Sequence, residues 1–401
     1  FPYTTLFRSY SKIRPLEGIR IGLSVHLEAK TAFLCQTLRA AGAQMFITGS
    51  NPLSTQDDIA AALVDDGMEV YAWHDCTEEE YYANIRAVLE NNCQIIVDDG
   101  GDLVHMLHTQ MPDQIPYVIG GCEETTTGIL RLMTMEREGT LQFPMVMVND
   151  ARCKHFFDNR YGTGQSVFDG INRTTNLIVA GKTVVIAGYG WCGKGSAMRA
   201  RGLGARVIIT EIDPVKALEA VMDGFDVMPM EKAAELGDLF ITVTGCNKVI
   251  ASEDFARMKN GAVLCNAGHF DVEVDVAELR RIAVETREMR KNIMGYRMPD
   301  GRWLYVLAEG RLVNLAAGDG HPAEIMDMSF AIQTLSIKYL IEHQGQFTDK
   351  LIKVPDEIDE FVARRKLEML GKSIDELTEE QKAYLGVELP GDSGTGVSND
   401  I

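Results

Sequence analysis

The chain has 401 residues, a length that suits two domains of ordinary size better than one isolated module. Hydrophobic residues make up 46% and charged residues 24%, which excludes a collagen-like or largely disordered chain. The 58 acidic residues outnumber the 39 basic ones and give a formal net charge of −19. This charge repels nucleic acid and anionic lipid, so we expect no nucleic-acid partner and no membrane-surface role.

The cysteines and the two chain ends bear on location and fold. The eight cysteines include no Cys-x-x-Cys pair, and no apolar run is long enough to cross a bilayer, so we expect a reduced, cytoplasmic compartment and no metal site. Residues Phe1–Ser9 show no packing pattern, and Gly391–Ile401 is rich in small polar residues. We therefore expect neither segment to contribute to the fold. We also expect the tail Gly391–Ile401 to be poorly ordered.

Strands and helices alternate in the first third of the chain. Apolar runs and helical spacing predict, in order, strand Ile19–Val25, helix Ala29–Ala41, strand Ala43–Thr48, strand Glu69–Trp73, helix Glu78–Glu90 and strand Gln94–Val97. The acidic run Asp98–Asp102 follows the last of these strands. Ligands of open parallel sheets bind at the carboxyl ends of strands, so this run is a candidate site.

A second βαβ unit carries a glycine motif. The strand Lys182–Ala187 leads directly into Gly188, Gly190 and Gly193, which a predicted helix, Ser196–Leu203, and a second strand, Arg206–Thr210, follow. The first glycine permits the tight turn, the second lets the backbone approach a pyrophosphate, and the third allows close helix packing. A glycine turn without ligand is the alternative interpretation, but the full βαβ context favours a dinucleotide site.

The acidic residue after the second strand bears on cofactor choice. Glu211 follows about 20 residues after the first glycine, where a carboxylate accepts from a ribose hydroxyl and repels a 2′-phosphate. The pattern therefore predicts NAD rather than NADP. We expect an α/β protein with two doubly wound parallel-sheet domains. They are a substrate-binding domain at residues 10–150, completed by about 322–350, a Rossmann NAD domain at 160–320, and a C-terminal helical extension with a disordered tail at 351–401.

Several further segments share order and spacing with one known family. They are His26–Ala32, Ser54–Asp57, Asp98–Asp102, Glu123–Gly128, Val148–Asp150, Phe157–Asn159, Asn266–Asp271, Leu312–Leu315 and Gly320–Pro322. Together with the glycine motif they resemble the S-adenosylhomocysteine hydrolases over roughly Leu16–Leu385. The resemblance implies a cytoplasmic homo-oligomer, a dimer or tetramer, that reversibly hydrolyses S-adenosyl-L-homocysteine to adenosine and homocysteine. It also implies NAD as a catalyst, through 3′-oxidation, elimination of homocysteine, water addition and 3′-reduction.

The resemblance also implies roles for individual residues. Lys154 with Asp158 matches the base at the 3′-hydroxyl, Asp99 the residue near C4′, and His26 and His269 the acid and base near the leaving sulfur and the water. The positions implied in substrate binding are Glu28, Lys30, Thr31, Glu124, Asp319, His321 and Met326. Those implied in holding NAD are Thr125, Thr126, Thr127, Asn159, Gly188, Gly190, Gly193, Glu211 and Asn314. Taken singly, Asp99, His26 and Lys154 could equally be a cap, a core histidine and a solvated charge.

The sequence departs from the common family pattern at the purine site. Glu28 and Lys30 stand where Thr and Glu or Gln are usual, and Asp319 stands where an apolar Met is usual. Lys only donates and ionised Glu only accepts. With Lys30 facing position 6 and Glu28 facing N1, the pair complements hypoxanthine and conflicts with adenine, whereas a small shift of the base would let Lys30 donate to adenine N1 and Glu28 accept from the 6-amino group. S-inosyl-L-homocysteine is therefore an alternative substrate, unless both charges are solvent-exposed at a helix start. The Lys and Tyr tail of common members has no equivalent after Leu389.

Two other functions stay open at this point. An ordinary NAD-dependent dehydrogenase would turn over its cofactor, and an NAD-sensing protein of this fold would have lost catalysis. The second is disfavoured because Lys154, Asp158, Asp99, His26 and His269 are all present.

Overall fold

The computed structural model describes residues 2–386, and the predicted tail Gly391–Ile401 lies outside them. The described chain divides into two compact units. The first unit ends at Lys154 and resumes at Asp327, and the second runs from His155 to Met326. Each unit is built on its own α/β sheet, which confirms the predicted fold class.

Fifteen strands and seventeen α-helices follow one another along the described chain. The strands are β1 Arg20–Ser24, β2 Gln44–Thr48, β3 Glu69–Val70, β4 Ile95–Asp98, β5 Gly120–Glu123, β6 Met145–Met147, β7 Thr183–Ala187, β8 Arg206–Thr210, β9 Asp226–Val227, β10 Leu239–Thr242, β11 Val263–Asn266, β12 Glu285–Arg290, β13 Ile293–Arg297, β14 Trp303–Leu307 and β15 Leu351–Lys353. The helices are α1 Pro2–Ile13, α2 Ala29–Ala40, α3 Asp57–Asp65, α4 Glu78–Leu89, α5 Asp102–Thr109, α6 Thr126–Arg137, α7 Arg152–Lys154, α8 Thr163–Thr175, α9 Trp191–Gly202, α10 Pro214–Met222, α11 Met230–Leu236, α12 Ser252–Arg257, α13 Val276–Ile282, α14 Val313–Ala316, α15 Ala323–Glu342, α16 Asp356–Met369 and α17 Glu379–Leu385. A π-helix, His155–Gly162, joins α7 to α8, and 3₁₀ turns occur at Ile115–Tyr117, Val148–Asp150 and Ala308–Gly310.

The sheet of the first unit is parallel throughout. Its seven strands lie in the order β15-β6-β5-β4-β1-β2-β3. The central strands are mostly apolar and almost entirely buried, β1 from Ile21 onward and β4 throughout, as expected of parallel strands covered on both faces. We expected Leu351–Lys353 to begin a helical extension, but it pairs with β6 as an edge strand.

The N-terminal segment differs from our expectation. We expected Phe1–Ser9 to stay outside the fold, but the described part of this segment lies within α1. Leu6 and Tyr10, one helical turn apart, are buried, and the ring of Phe7 stacks on Phe33 of α2 at 5.8 Å. Burial of this apolar stripe against the rest of the unit holds the helix in place. The expectation was wrong because two core residues among polar ones give a weak periodic signal.

The second unit combines a parallel sheet with an antiparallel edge. Strands β9-β8-β7-β10-β11-β14 are parallel and follow the order of a dinucleotide-binding fold. The hairpin β12-β13 continues the sheet antiparallel beyond β14, which the sequence did not suggest. Each of the eight cysteines is free. No helix within residues 2–386 combines the length and apolarity needed to span a bilayer.

Candidate active site

The first unit has a crevice where its strand order reverses, between β1 and β4. His26 follows β1, and Asp99 follows β4. The Nε2 atom of His26 lies 3.6 Å from Oδ2 of Asp99, and its Nδ1 atom lies 2.6 Å from the Ser54 hydroxyl. Ser50 donates to the same Asp99 oxygen at 3.2 Å. Both ring nitrogens of His26 are thus oriented, as an acid or base requires.

The buried Glu28 and the largely buried Lys30 form an ion pair at the start of α2. Glu28 is the N-cap, and its carboxylate accepts from the backbone N–H groups of Lys30 at 3.1 Å and Thr31 at 3.3 Å. The Lys30 amine lies 2.6 Å from Oε2 of Glu28, and the two side chains are only 18% and 5% exposed. A carboxylate suits a helix N-terminus because of the unpaired amides there. The alternative of two solvent-exposed charges is therefore wrong.

Lys154 and Glu124 lie together in the interior of the first unit. Their charged atoms are 3.8 Å apart, and each side chain is 7% exposed. The Lys154 amine also donates to the Asn149 side chain at 3.3 Å, and Gln333 of α15 donates to Glu124 at 3.0 Å. Sequence reasoning named neither Asn149 nor Gln333 as a site residue. Asn149 lies in a segment that carries the family resemblance, whereas nothing near Gln333 in the sequence marks it.

The three threonines expected to hold NAD begin α6. Thr125 is the N-cap, and Thr126 and Thr127 form the first helical positions. Asn149 donates to the Thr126 hydroxyl at 3.0 Å. The helix start offers unpaired amides that favour a negatively charged ligand.

The glycine loop of the second unit has the shape a pyrophosphate needs. Gly188 has a φ of +101°, in the left-handed region, and a Cβ on Gly193 would lie 2.0 Å from the Gly188 carbonyl oxygen. A Cβ on Gly190 would meet no atom within 4 Å, so this backbone borders open space. Helix α9 begins at the next residue, Trp191. These features fit the phosphate-binding turn of a dinucleotide fold.

Glu211 and Asn314 also fit a bound dinucleotide. Glu211 lies at the end of β8, where its Oε2 accepts from the backbone N–H of Tyr189 at 2.7 Å and its Oε1 from that of Ile212 at 2.8 Å. The carboxylate is thus fixed beside the glycine loop. Asn314 is buried on α14, and within residues 2–386 its Oδ1 atom has no hydrogen-bond partner. A buried amide oxygen is normally satisfied, so this atom is available to a donor on a bound ligand.

His269 is carried by a tightly held turn after β11. The side chain of Asn266 donates to the carbonyls of Gly268 at 3.1 Å and Phe270 at 2.8 Å, and accepts from the Gly268 amide at 2.8 Å. The ring of His269 packs edge-on against Phe270, with centroids 4.6 Å apart. Asn266 therefore fixes the backbone on both sides of His269, a role that its sequence position alone did not indicate.

Asp158 and His321 meet in the second unit. The buried Asp158 carboxylate pairs with Nδ1 of His321, and the Thr163 hydroxyl lies 3.3 Å from Nε2. Asp158 and Asn159 lie in the π-helix, a rare element that is frequent at functional sites. In contrast, Asp319 is 91% exposed and pairs with Arg173 at 3.1 Å. Met326, in the first turn of α15, is half-buried.

Comparisons with known proteins cover nearly the whole chain. The family model "S-adenosyl-L-homocysteine hydrolase" matches residues 3–118, and its "NAD binding domain" model matches residues 159–320. The S-inosyl-L-homocysteine hydrolase of Methanopyrus kandleri is 56% identical over 94% of this chain and 89% of its own length. The S-inosyl-L-homocysteine hydrolase of Methanocaldococcus jannaschii is 54% identical over 96% of this chain and 92% of its own length. The adenosylhomocysteinase of Aquifex aeolicus is 56% identical over 94% of this chain and 90% of its own length.

Proposed function

The chain belongs to the S-adenosyl-L-homocysteine hydrolase family, and we propose that it reversibly hydrolyses a purine nucleoside thioether of homocysteine with NAD as a bound catalyst. The observation that carries the proposal is the buried Lys154 amine beside Glu124 and Asn149. Most lysine side chains of globular proteins lie in solvent. A lysine amine that is buried among polar partners, as in Lys154, suits a group that moves a proton.

The first unit supplies most of the proton-transfer groups. Bound NAD supplies the reversible oxidation at the ribose 3′-carbon, which makes the C4′ hydrogen acidic and homocysteine a feasible leaving group. Lys154 takes the proton of the 3′-hydroxyl, and Glu124 accepts from the 2′-hydroxyl. Asp99 moves the C4′ proton. His26, held by Ser54 and Asp99, serves the leaving sulfur or the attacking water.

The site residues of the second unit have complementary tasks. Glu211 and the glycine loop hold NAD, and Asn314 offers its free amide oxygen to the cofactor. His269 provides the second acid or base near C5′. Asp158 assists proton removal at the 3′-hydroxyl, and its bond to His321 keeps that imidazole in one orientation.

The reaction class is tested by following substrate and cofactor together. We expect the thioether to be consumed and free homocysteine to appear, with no lasting change in the near-ultraviolet absorbance of the cofactor. An ordinary dehydrogenase would instead change that absorbance once for every substrate molecule consumed. Such a stoichiometric change would refute the proposal.

The preferred purine is a separate question. S-Adenosyl-L-homocysteine gives the family its name, whereas three of the relatives are named for the S-inosyl compound. Relatives with either name are 54–56% identical to this chain, so overall identity does not choose between them. The buried pair of Glu28 and Lys30 favours the second candidate, S-inosyl-L-homocysteine.

The argument rests on which atoms donate. Hypoxanthine has a donor at N1 and an acceptor at its 6-keto group, whereas adenine has an acceptor at N1 and a donor at its 6-amino group. Glu28, paired with an ammonium and two amides, only accepts, and Lys30 only donates. With the base placed so that Glu28 faces N1 and Lys30 faces position 6, Glu28 suits N1–H and Lys30 suits the keto oxygen; the shifted placement, in which Lys30 donates to adenine N1 and Glu28 accepts from the 6-amino group, is the outcome that an adenosine preference would indicate.

The decisive measurement is kcat/KM for both thioethers. In the parent we expect the inosine compound to be preferred by roughly tenfold to a few hundredfold, because a mismatched buried donor costs about 1–3 kcal/mol. Lys30→Glu should move the preference toward adenosine, and Lys353→Glu, an exposed charge change in the same unit, should not. An adenosine preference in parent and variant alike would overturn the base assignment and leave the hydrolase function standing.

A further inference from the structure

Two fully buried carboxyl groups lie beneath the crevice of the first unit. Asp98 ends β4 and Glu123 ends β5, and the two residues are direct register partners in the parallel sheet. Side chains of register partners project from the same face of a sheet. Neither group has a task in the proposed reaction, and each immediately precedes a residue that does, Asp99 and Glu124 respectively.

Asp98 uses both of its carboxylate oxygens. Its Oδ1 accepts from the backbone N–H of Asp99 at 3.0 Å, and its Oδ2 from that of Val104 at 3.0 Å. Protonation of either oxygen would place a hydroxyl against a backbone donor. The geometry therefore suits Asp98 as the ionised member of the pair.

Glu123 uses only one oxygen. Its Oε1 accepts from the backbone N–H groups of Gly100 at 2.9 Å and Thr125 at 3.0 Å, whereas the buried Oε2 has no hydrogen-bond partner in the described part of the chain. A Cβ on Gly128 would lie 2.1 Å from Cδ of Glu123, so the carboxyl group lies against the first turn of α6. A proton on Oε2 would break neither backbone bond.

We propose that Glu123 is a positioning residue that ties the loop carrying Asp99 to the start of α6, and that it does so as the neutral acid with its proton on Oε2. Two adjacent carboxylates that are shielded from water repel each other strongly, so one of them keeps its proton. The bonding pattern selects Glu123, because that proton costs no existing hydrogen bond. Gly100 and Thr125, the two donors to Oε1, then hold the catalytic loop at a fixed distance from the helix.

The electrostatic surroundings agree with this assignment. Burial raises the pKa of Asp98 to about 7, and burial followed by the charge of Asp98 raises the pKa of Glu123 well above its usual range. The other charged groups that face the pair are Asp99, Asp102 and Arg131, and the neutral titratable side chains beside it are Tyr81 and Cys122. Arg131 is paired with Asp102 at 2.7 Å, so its positive charge is already engaged.

The same amide substitution at the two register partners tests the proton's location. Glu123→Gln replaces the protonated oxygen with an NH₂ group and keeps the accepting oxygen, so we expect the holoenzyme's kcat to stay within about threefold of the parent, less than 1 kcal/mol. Asp98→Asn turns an NH₂ group toward a backbone N–H, and we expect at least a tenfold loss, about 1.4 kcal/mol or more. Equal losses, or a larger loss for Glu123→Gln, would overturn the assignment.

The clamp itself is tested by amide hydrogen exchange. Glu123→Ala should speed exchange at Gly100 and Thr125 by about tenfold or more, and Glu123→Gln should restore protection. Glu136→Ala, which removes an exposed carboxylate bonded to the Leu351 amide at 3.1 Å, is the control and should leave both amides protected. Unchanged protection in Glu123→Ala would refute the clamp, whatever the enzyme's reaction.

The effect on Asp99 rests on the proposed function and has its own assay. With adenosine or inosine in D₂O, we expect Glu123→Ala to slow exchange of the nucleoside C4′ proton by about tenfold more than it slows oxidation at the 3′-carbon. Equal slowing of both steps would indicate a merely structural role. If the parent oxidised neither nucleoside, the proposed function would fail, while the amide-exchange result would still decide the clamp.

Discussion

The two units share a strand order but use it for different chemistry. In the first sheet β2 and β3 lie on one side of β1 and β4, β5 and β6 on the other; in the second, β8 and β9 lie on one side of β7 and β10, β11 and β14 on the other. The strand order therefore reverses beside β1 in one unit and beside β7 in the other, which is where such sheets form a crevice for ligands. After β7 the chain presents glycines and the amides of a helix start. After β1 and β4 it presents His26 and Asp99. Topology thus fixes where a site lies, and the loop residues fix what it does.

Buried carboxyl groups that hold loops add a second contrast. In the second unit, both oxygens of Glu273 are used: they accept from the Thr244 amide at 2.9 Å, its hydroxyl at 2.7 Å and the Gly245 amide at 2.8 Å. In the first unit, Glu123 holds the loop that carries Asp99 to the start of α6 with a single oxygen. A carboxylate with every oxygen satisfied is a static support, whereas one with a free buried oxygen next to another acid has room for a proton.

The largest expected effect separates chemistry from cofactor binding. Lys154→Ala should lower turnover by roughly 10²–10⁴-fold, because the base at the 3′-hydroxyl is lost, and should leave NAD content near the parent value. The absorbance of the reduced cofactor after nucleoside addition measures the oxidation step, and the NAD released on denaturation measures the cofactor content. Lys350→Ala removes an exposed amine bonded to the Gln142 carbonyl at 2.9 Å and serves as the control. A Lys154→Ala protein with parental turnover would break the proposed division between the units.

A variant of the second unit should have the converse effect, on cofactor binding rather than on chemistry. Glu211→Ala should weaken NAD retention by roughly tenfold to a hundredfold, because hydrogen bonds to a charged group contribute about 1.5–3 kcal/mol. Excess NAD should restore most of the turnover. Asp213→Ala, which removes the N-cap of α10 and an ion pair with Lys216 at 3.9 Å, is the matched control. Protein purified with NADP, or a Glu211→Ala variant that retains NAD as firmly as the parent, would contradict this placement of the cofactor.

How far the sequence predicted these features depends on whether they are local. The βαβ alternation and the Gly188 turn were predictable because apolar runs and turn glycines act within a few residues. The edge strand Leu351–Lys353 was not, because three residues carry no periodic signal and pair with β6, far away along the chain. The contact of Gln333 with Glu124 likewise depends on how α15 packs. For Glu28 and Lys30, the residue types predicted donor and acceptor, but only the structure shows the pair buried.

The smallest expected effect concerns pH and sharpens the contrast between Glu123 and Glu273. The folded pKa of Glu123 is raised above its unfolded value, so its contribution to stability is fully present below about pH 4.5 and is lost as pH rises toward the folded pKa. Glu123→Gln removes this titration. The unfolding free energy of the variant minus that of the parent should therefore increase with pH between pH 5 and pH 8.

Urea unfolding of the two proteins across this range measures the difference, and the subtraction cancels the titration of the many other acidic groups. The same amide substitution at Glu273 should behave differently from Glu123→Gln. Its carboxylate already satisfies three donors, so the amide leaves one of them facing an NH₂ group and should destabilise the protein by about 1–3 kcal/mol. Parallel pH profiles for the parent and Glu123→Gln would mean that Glu123 carries no proton in this range, and the two carboxyl groups would then play the same static role.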